Sequence, residues 1–481
     1  MTSGDRLPAM ADRRLRRTVG VFGLASALVA IAAVAIDPHA SARAVTPLSG
    51  PVLTVRRAPS VVHAAVGRQR LAKALDEVMA DPEFAPARPS SCLHVVVDGG
   101  TVYDDGADRS VTPASTLKVL TTATALSLMP PGTRFTTEVR AAAPPAGGTI
   151  AGDLWLVGGG DPLLETADYT RTQDHRPDIA TKLEDLADRV VAAGVTRIDG
   201  RVIGDDRRYD DVRSLSSWKR GYLASGEVGP IGALNINDNF TVRNANGRRT
   251  GSTSPARDGA AEFAGLLTER GVTIAFDPAG TGTGPQAVTT DVPAVVVAKV
   301  DSVPIEQVIQ EVLVFSDNTA AEMLVKEVGF RATNAPGSWA SGSAAVRSMV
   351  AVRSSGNIAT VDGSGLDRSD RVTCTVLTDV LAFEPAAGAF EAGLPIMGRT
   401  GTLRKRLRGD PADGHVRAKT GSLNGVSSLA GFADTRSGAR AVFAFVGNNL
   451  ASTAIGVRLG NAIAQQLVAF PDAPDVGEFG L

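Results

Sequence analysis

Apolar residues recur at helical spacing through Val62–Met79, at Leu71, Leu75 and Val78, and a Pro-rich stretch to Pro89 follows. The β-branched run Leu93–Val97, the turn signal Asp98-Gly99-Gly100 and the return Thr101–Tyr103 predict a hairpin. Thr112–Leu128 is nearly all apolar or small and is stopped by Pro130-Pro131, which predicts a buried helix. From about Phe135 to Thr290 short runs such as Asp153–Val157 and Arg201–Ile203 alternate with Gly/Asp turns, the texture of a β-rich insertion. Helical patterns return at Val303–Val314 and Thr319–Val328. Val416–Val446 reads as antiparallel strands, and Thr453–Val468 closes as a helix. No solenoid repeat is evident. The expected architecture is therefore α/β of the α+β kind, an antiparallel sheet flanked by helices. Its parts are a leader over 1–42, a linker and helix over 43–90, a main domain from 91–134 with 291–481, and the insertion over 135–290.

The leader carries an address. Arg13, Arg14, Arg16 and Arg17 precede an uncharged run of 19 residues from Thr18 to Ile36, close to the ~20 residues that span a bilayer as helix. Arginines on its N-terminal side hold that end in the cytoplasm and send the body across. The long apolar run suits an uncleaved anchor, while Ala40-Ser41-Ala42 suits cleavage. Either way the body works outside the cytoplasm. Export changes the reading of Cys92 and Cys374, which are 282 positions apart. A redox CxxC is excluded, and both a disulfide and two unpaired thiols fit.

Composition narrows the function by exclusion. The chain has 481 residues, 43% hydrophobic and 21% charged, with 49 basic against 51 acidic residues and a net charge of −2. That is a globular chain with no field to draw in nucleic acid. His39, His63, His94, His175 and His415 share no metal-ligand spacing and read as surface or linker residues, so no metal is expected.

Three short motifs carry the chemistry. Ser115-Thr116-Leu117-Lys118 opens the buried helix, where a spacing of three lets hydroxyl and amine face each other. A serine hydroxyl needs a base to become a nucleophile, and a desolvated lysine can be one. Ser316-Asp317-Asn318 falls between two helices and points its hydroxyl and amide into a cleft. Lys419-Thr420-Gly421-Ser422 ends a strand, whose edge can receive an extended peptide while Gly421 permits close approach. Each motif alone is cheap. Ser216-Ser217-Trp218-Lys219 also fits SxxK, in a polar, loop-like stretch, and SxN recurs at Ser355-Gly356-Asn357 and Ser422-Leu423-Asn424. Only eight of the basic residues are lysines, however, and the order SxxK, SxN, KTG in these settings is specific.

At this point the chain resembles the D-alanyl-D-alanine carboxypeptidase/endopeptidases of the low-molecular-mass, class C penicillin-binding proteins, from about Leu93 to Val468. Further stretches similar to that family are Gly152–Pro162, Asp362-Gly363-Ser364-Gly365-Leu366, Gly401-Thr402-Leu403 and Ala418–Leu423. One departure is Asp367, where the family more often has a small hydroxyl residue. The resemblance implies a transpeptidase/β-lactamase-like main domain interrupted by the insertion. It also implies acyl transfer from stem peptides ending in D-Ala-D-Ala, inhibition by β-lactams, and no cofactor. By matching motif, Ser115 would be the nucleophile and Lys118 its base. Ser316 would relay a proton to the leaving amine, and Asn318 would hold the substrate amide and Lys118. Lys419 would offset negative charge, and Thr420 and Ser422 would hold the terminal carboxylate. The N–H groups of Ser115 and Ser422 would form an oxyanion hole, worth ~3 kcal/mol per donor.

Gly158-Gly159-Gly160-Asp161-Pro162 lacks the lysine and helix of a phosphate loop and reads as a turn within the insertion. Arg404, Lys405, Arg406 and Arg408 read as a solvated loop, with contact to an anionic wall polymer as the sharper alternative. Two rival functions share the motifs. A serine β-lactamase would need fast deacylation, and no Glu-x-x-Leu-Asn stretch lies between the first two motifs. A non-catalytic wall-binding protein would be expected to have lost one of Ser115, Lys118, Ser316, Asn318 or Lys419.

Overall fold

The structure is a computed structural model that describes residues 58–173, 178–241, 249–282 and 288–471. The Arg-flanked apolar run, Ala40-Ser41-Ala42, His39 and His175 lie outside the described residues. Helix α1 (Ala58–Met79) leads to strands β1 (Cys92–Val97) and β2 (Gly100–Asp105), then to helix α2 (Lys118–Leu128). The inserted part contributes β3 (Thr136–Ala141), β4 (Leu154–Val157), helix α3 (Leu183–Ala192), β5 (Val202–Asp205), helix α4 (Pro255–Glu269), β6 (Ala279–Gly280) and β7 (Val295–Asp301). The chain then returns through α5 (Ile305–Gln310), α6 (Asn318–Thr333), α7 (Trp339–Arg353) and α8 (Cys374–Phe383). It ends with β8 (Val416–Leu423), β9 (Val426–Asp434), β10 (Arg440–Gly447) and α9 (Thr453–Ala469).

The main sheet is antiparallel throughout, in the order β8-β9-β10-β1-β2. Its two faces follow the two-residue period of the strands. Leu93, Val95, Phe443 and Phe445 meet Leu71, Leu75 and Met79 of α1 and Ile463 and Leu467 of α9. Val442, Ala444 and Val446 turn the other way, onto a core with Leu120 of α2, Leu324 of α6, Val350 of α7 and Leu377 of α8. That second core contains Cys92 and Cys374, which form a disulfide joining the start of β1 to the start of α8. His94 is not a surface residue. It is buried between the same two elements, its Nδ1 2.6 Å from Thr378 Oγ1, and burial holds its pKa below the ordinary value.

The inserted part carries more helix than the β-rich reading expected. Its five-stranded sheet runs β6-β5-β4-β3-β7, with parallel pairs at β6/β5 and β5/β4. Leu186 and Val190 of α3 and Phe263 and Leu267 of α4 pack against Val139, Leu154 and Leu156. The sheet closes with β7, beyond residue 290, because β7 pairs along the whole of β3. Tyr209, Trp218, Val228 and Ile231 leave this sheet altogether and enter the main domain's core.

Buried ion pairs fasten that segment to α6. Glu327, with no exposed side chain, accepts two bonds from Arg208 at 2.7 Å and a third from Arg331. Lys326 donates to Asp210 and to the Val212 carbonyl. The Gly158–Pro162 loop is a packing joint here: a Cβ on Gly160 would stand 2.5 Å from the Tyr209 hydroxyl, and one on Gly159 only 1.9 Å from the Thr136 carbonyl. The basic run is not wholly solvated either, since Arg406 lies against α9 and donates to Asn461 and the Val457 carbonyl.

Loss of the disulfide cross-link in a Cys92→Ser/Cys374→Ser variant should lower unfolding stability by about 2–4 kcal/mol. Denaturant midpoints of the two proteins measure this directly, and equal midpoints would contradict it.

Candidate active site

Residues Ala114–Leu117 form a 3₁₀ turn, and the α-helix itself begins at Lys118, three residues after Ser115. The sequence reading put both on one helix. The tighter turn still brings hydroxyl and amine to 3.0 Å. The turn is strained and pinned. Ala114 has φ +50°, the left-handed region that costs a non-glycine residue ~1 kcal/mol or more. The Pro113 carbonyl accepts bonds from Thr116 and from Ser428 on β9.

Lys118 is fully buried and has three neighbours: Ser115 Oγ at 3.0 Å, Asn318 Oδ1 at 2.7 Å and the Ser364 carbonyl at 2.9 Å. The last two can only accept. A neutral amine has two N–H bonds and one lone pair, so donation to both acceptors leaves the lone pair for the serine O–H. Burial is what makes the neutral form accessible, pulling the lysine from its ordinary 10.5 to about 8 against the opposing charges of Glu322 and Asp362.

Ser316 follows a short π-helical turn, Glu311–Phe315, and has φ +64°. Its hydroxyl accepts a bond from Lys419 Nζ at 2.8 Å. Lys419 is also fully buried. Desolvation, and then the nearby Lys118, hold its pKa well below the ordinary lysine value. Asp317 caps α6 by accepting from Ala320 N–H, which sets Asn318 at the first turn with its amide nitrogen on the Glu227 carbonyl at 2.8 Å.

Strand β8 is the sheet's edge, next to the serine turn. Ala418 N–H bonds outward to the Pro395 carbonyl, so the two-residue alternation turns the backbone groups of Thr420 and Ser422 outward as well. Gly421 lies between them. A Cβ there would stand 2.2 Å from Ser428 Oγ and 3.0 Å from Ser115 N, so no larger residue fits between the strand and the Ser115 turn. Thr420 Oγ1 bonds Thr402 Oγ1 at 2.8 Å. Ser115, Ser316, Asn318, Thr420 and Ser422 line one cleft of about 880 Å³, with Lys118, Lys419 and Gly421 buried in its walls. All eight residues singled out in the sequence meet at this place.

The sequence reading missed what supports them. Glu322, fully buried on α6, accepts from the N–H groups of Gly363 and Ser364 at 3.0 and 2.8 Å and from Trp339 Nε1 at 2.6 Å. It therefore fixes the loop whose Ser364 carbonyl holds Lys118. Burial and the neighbouring Asp362 raise its pKa to about 7. Asp362 accepts from Gly365 and Asp367 N–H and from Trp218 Nε1, and Asp370 is kept protonated beside it by burial and by that charge. Asp367, the family departure, is held by the hydroxyls of Ser217 and Ser369. The discounted Ser216–Lys219 stretch thus forms a wall of the site: it is a turn, as expected, but Trp218 is buried and Lys219 lines the cleft with Tyr222 and Glu227. No group of His, Cys, Asp and Glu able to hold a metal occurs among the described residues.

The model of the D-Ala-D-Ala carboxypeptidase 3 (S13) family matches residues 71–281 and 252–470. The chain is 31% identical over 452 residues to the carboxypeptidase DacB of Mycolicibacterium smegmatis, covering 90% of this chain and 93% of that one. It is 27% identical over 494 residues to a D-alanyl-D-alanine carboxypeptidase of an Actinomadura species, covering 87% and 88%. The crystal structure of penicillin-binding protein 4 (dacB) from Haemophilus influenzae aligns with a TM-score of 0.67 at 21% identity, over 82% of this chain and 98% of that one. The same protein complexed with a β-lactam aligns at 0.60 and 20% identity, over 81% and 99%. The chain belongs to the S13 family of serine-type D-Ala-D-Ala carboxypeptidases.

Glu322→Gln removes a charge that raises the Lys118 pKa and leaves at least one loop N–H facing an NH₂ group. The Lys118 pKa, followed by NMR of ¹⁵N-lysine-labelled protein, should fall below the wild-type value of about 8, and stability should fall by about 1–3 kcal/mol. An unchanged lysine titration would contradict this coupling.

Proposed function

We propose that this S13-family chain hydrolyses the amide between the two terminal D-alanines of peptidoglycan stem peptides through an acyl-enzyme on Ser115. The observation that carries the proposal is the position of the Lys118 amine, buried between the serine hydroxyl and two groups that can only accept. Ser115 Oγ bonds to the carbonyl carbon as its proton passes to Lys118. The oxyanion forms against the N–H groups of Ser115 and Ser422. Breakage of the C–N bond releases D-alanine, whose amine takes, through the Ser316 hydroxyl, the proton that Lys118 received, which returns Lys118 to its neutral form; Ser316 is held for this by Lys419. Thr420 and Ser422 hydroxyls hold the terminal carboxylate, with the buried Lys419 amine behind them donating to the Ser316 hydroxyl and the Thr420 carbonyl. Water then hydrolyses the ester and restores Ser115. No metal or cofactor takes part.

The substrate lies as an added strand along the outer edge of β8, its backbone meeting the outward groups of Thr420 and Ser422. A β-lactam mimics the terminal dipeptide and acylates the same serine; the H. influenzae relative complexed with a β-lactam supports this reading. The substrate is extracytoplasmic, which agrees with the Arg-flanked apolar leader and the Cys92–Cys374 disulfide. An uncleaved leader would hold the enzyme at the membrane. Among the described residues no helix is long and apolar enough to cross one.

Labelling with a fluorescent penicillin, alongside D-alanine release from a pentapeptide, tests the proposal in wild type and Ser115→Ala. A stable 1:1 adduct and D-alanine release, both lost in the variant, are expected. Rapid penicillin turnover without an adduct would reassign the chain as a β-lactamase. A folded protein inert to both would be the non-catalytic alternative.

A further inference from the structure

The loop that holds Lys118 through the Ser364 carbonyl also touches the serine turn. Gly365 has φ +81°, and a Cβ on it would stand 2.0 Å from the Ala114 carbonyl. One loop therefore helps to set the distance between the amine and the hydroxyl that exchange a proton. Its base is closed by the antiparallel bridge between Ala359 and Arg371. Inside it lie two buried carboxyl groups, Asp362 and Asp370.

Neither carboxyl has an ion-pair partner among the described residues, and their hydrogen bonds divide unequally. Asp362 has the bonds of an anion. Its Oδ1 accepts from Gly365 N–H at 2.8 Å, and its Oδ2 from Asp367 N–H at 2.7 Å and Trp218 Nε1 at 2.9 Å. Asp370 Oδ1 accepts from Val361 N–H at 2.7 Å. No donor among the described residues reaches its buried Oδ2, and the group beside this carboxyl is Asp362. Arg371, next in the chain, does not neutralise it: its guanidinium donates to the Thr112 hydroxyl and to the carbonyls of Arg368 and Asp370. A bare anionic oxygen facing a second carboxylate out of water is strongly disfavoured. A carboxylate has about four acceptor sites, so Asp362 has one left for an acid O–H on Asp370, which satisfies both groups.

We propose that Asp370 is a positioning residue that works as a neutral acid: its O–H donates to Asp362, and the proton shared by the pair holds the 362–367 loop in place at a single negative charge. The inference rests on the acyl-transfer reading of Ser115 and Lys118 and extends it to what sets their spacing and charge. Burial and the neighbouring Asp362 and Asp367 raise the Asp370 pKa to about 10, which agrees with a retained proton. Lys118 is faced by Glu322 of α6, by Asp317 at the cap of that helix, by Glu227 from the inserted part and by Asp362. The buried Lys419 is also near. Each added negative charge favours the ammonium, which cannot accept the serine proton. A second carboxylate at position 370 would add one, whereas the protonated acid fixes Asp362 without doing so.

Asparagine copies a neutral acid, because its NH₂ can donate to Asp362 and its oxygen can accept from Val361. The test follows penicillin acylation against pH in wild type, Asp370→Asn and Asp370→Ala. An infrared difference spectrum of wild type minus Asp370→Asn at neutral pH accompanies it. Asp370→Asn should acylate within about twofold of wild type, with the same pH midpoint, and Asp370→Ala about tenfold more slowly, since it leaves the Val361 N–H without an acceptor. The spectrum should contain the C=O stretch of a carboxylic acid. A midpoint that falls in Asp370→Asn would mean that a negative charge had been removed, and would overturn the inference. A spectrum with carboxylate bands alone would overturn it too, as would equal losses in the two variants or an alanine variant as fast as wild type. If Asp370→Ala does not fold, the asparagine variant and the spectrum decide. A wild type that penicillin does not acylate would instead overturn the acyl-transfer reading, and the infrared band would still report the shared proton.

Discussion

An amine buried out of water with two carbonyl acceptors and one hydroxyl is the constraint on which this structure depends. Lys118 cannot keep its proton cheaply there: a pKa of about 8 in place of 10.5 disfavours the ammonium by on the order of 3 kcal/mol. The same desolvation acts on Lys419, and the nearby Lys118 makes it harder still to charge. Two lysines in a dry wall would be a liability for folding unless their partners were fixed. Much of the main domain does that fixing. Asn318 is set by the Asp317 cap, Ser364 by Glu322, and Ser316 by the π-helical turn before it.

The fold supplies these groups from elements far apart in sequence. The Ser115 turn and α2 come before the insertion, and α6, the 362–367 loop and β8 come after it. The insertion also reaches back, through Trp218 on Asp362 and the Glu227 carbonyl on Asn318. Removing it would leave Asp362 and Asn318 each short of a partner. The Glu327–Arg208 and Lys326–Asp210 contacts hold this segment on α6. Their value lies in register: a slip of the segment would withdraw both contacts to the site.

Much of the main domain was legible because its signals are local. The period of Leu71 and Leu75, the run Leu93–Val97 and the strands after Val416 follow from one-dimensional pattern, and so does the meeting of the three motifs. What escaped depends on long-range burial. Nothing near Glu322 announces that it will sit under a loop forty residues later, or that Asp370 will be kept protonated beside Asp362. His94 was assigned to the surface because a lone histidine carries no periodic signal, and its partner Thr378 comes from a distant helix. Ser216–Lys219 was rightly denied a helix, but its polarity hid Trp218, whose indole N–H needs a buried carboxylate. The insertion's helices were obscured by its frequent turns. The eight motif residues could be singled out because their chemistry constrains short spacings, and the structure brings them to one cleft.

The pH dependence of acylation tests the central claim most directly. If Lys118 is the buried base, the second-order rate of penicillin acylation should hold a plateau above about pH 8 and fall roughly tenfold per unit below it, as the amine takes up its proton. A rate that stays flat from about pH 6 to 9 would mean that the Lys118 amine is not the group that accepts the serine proton.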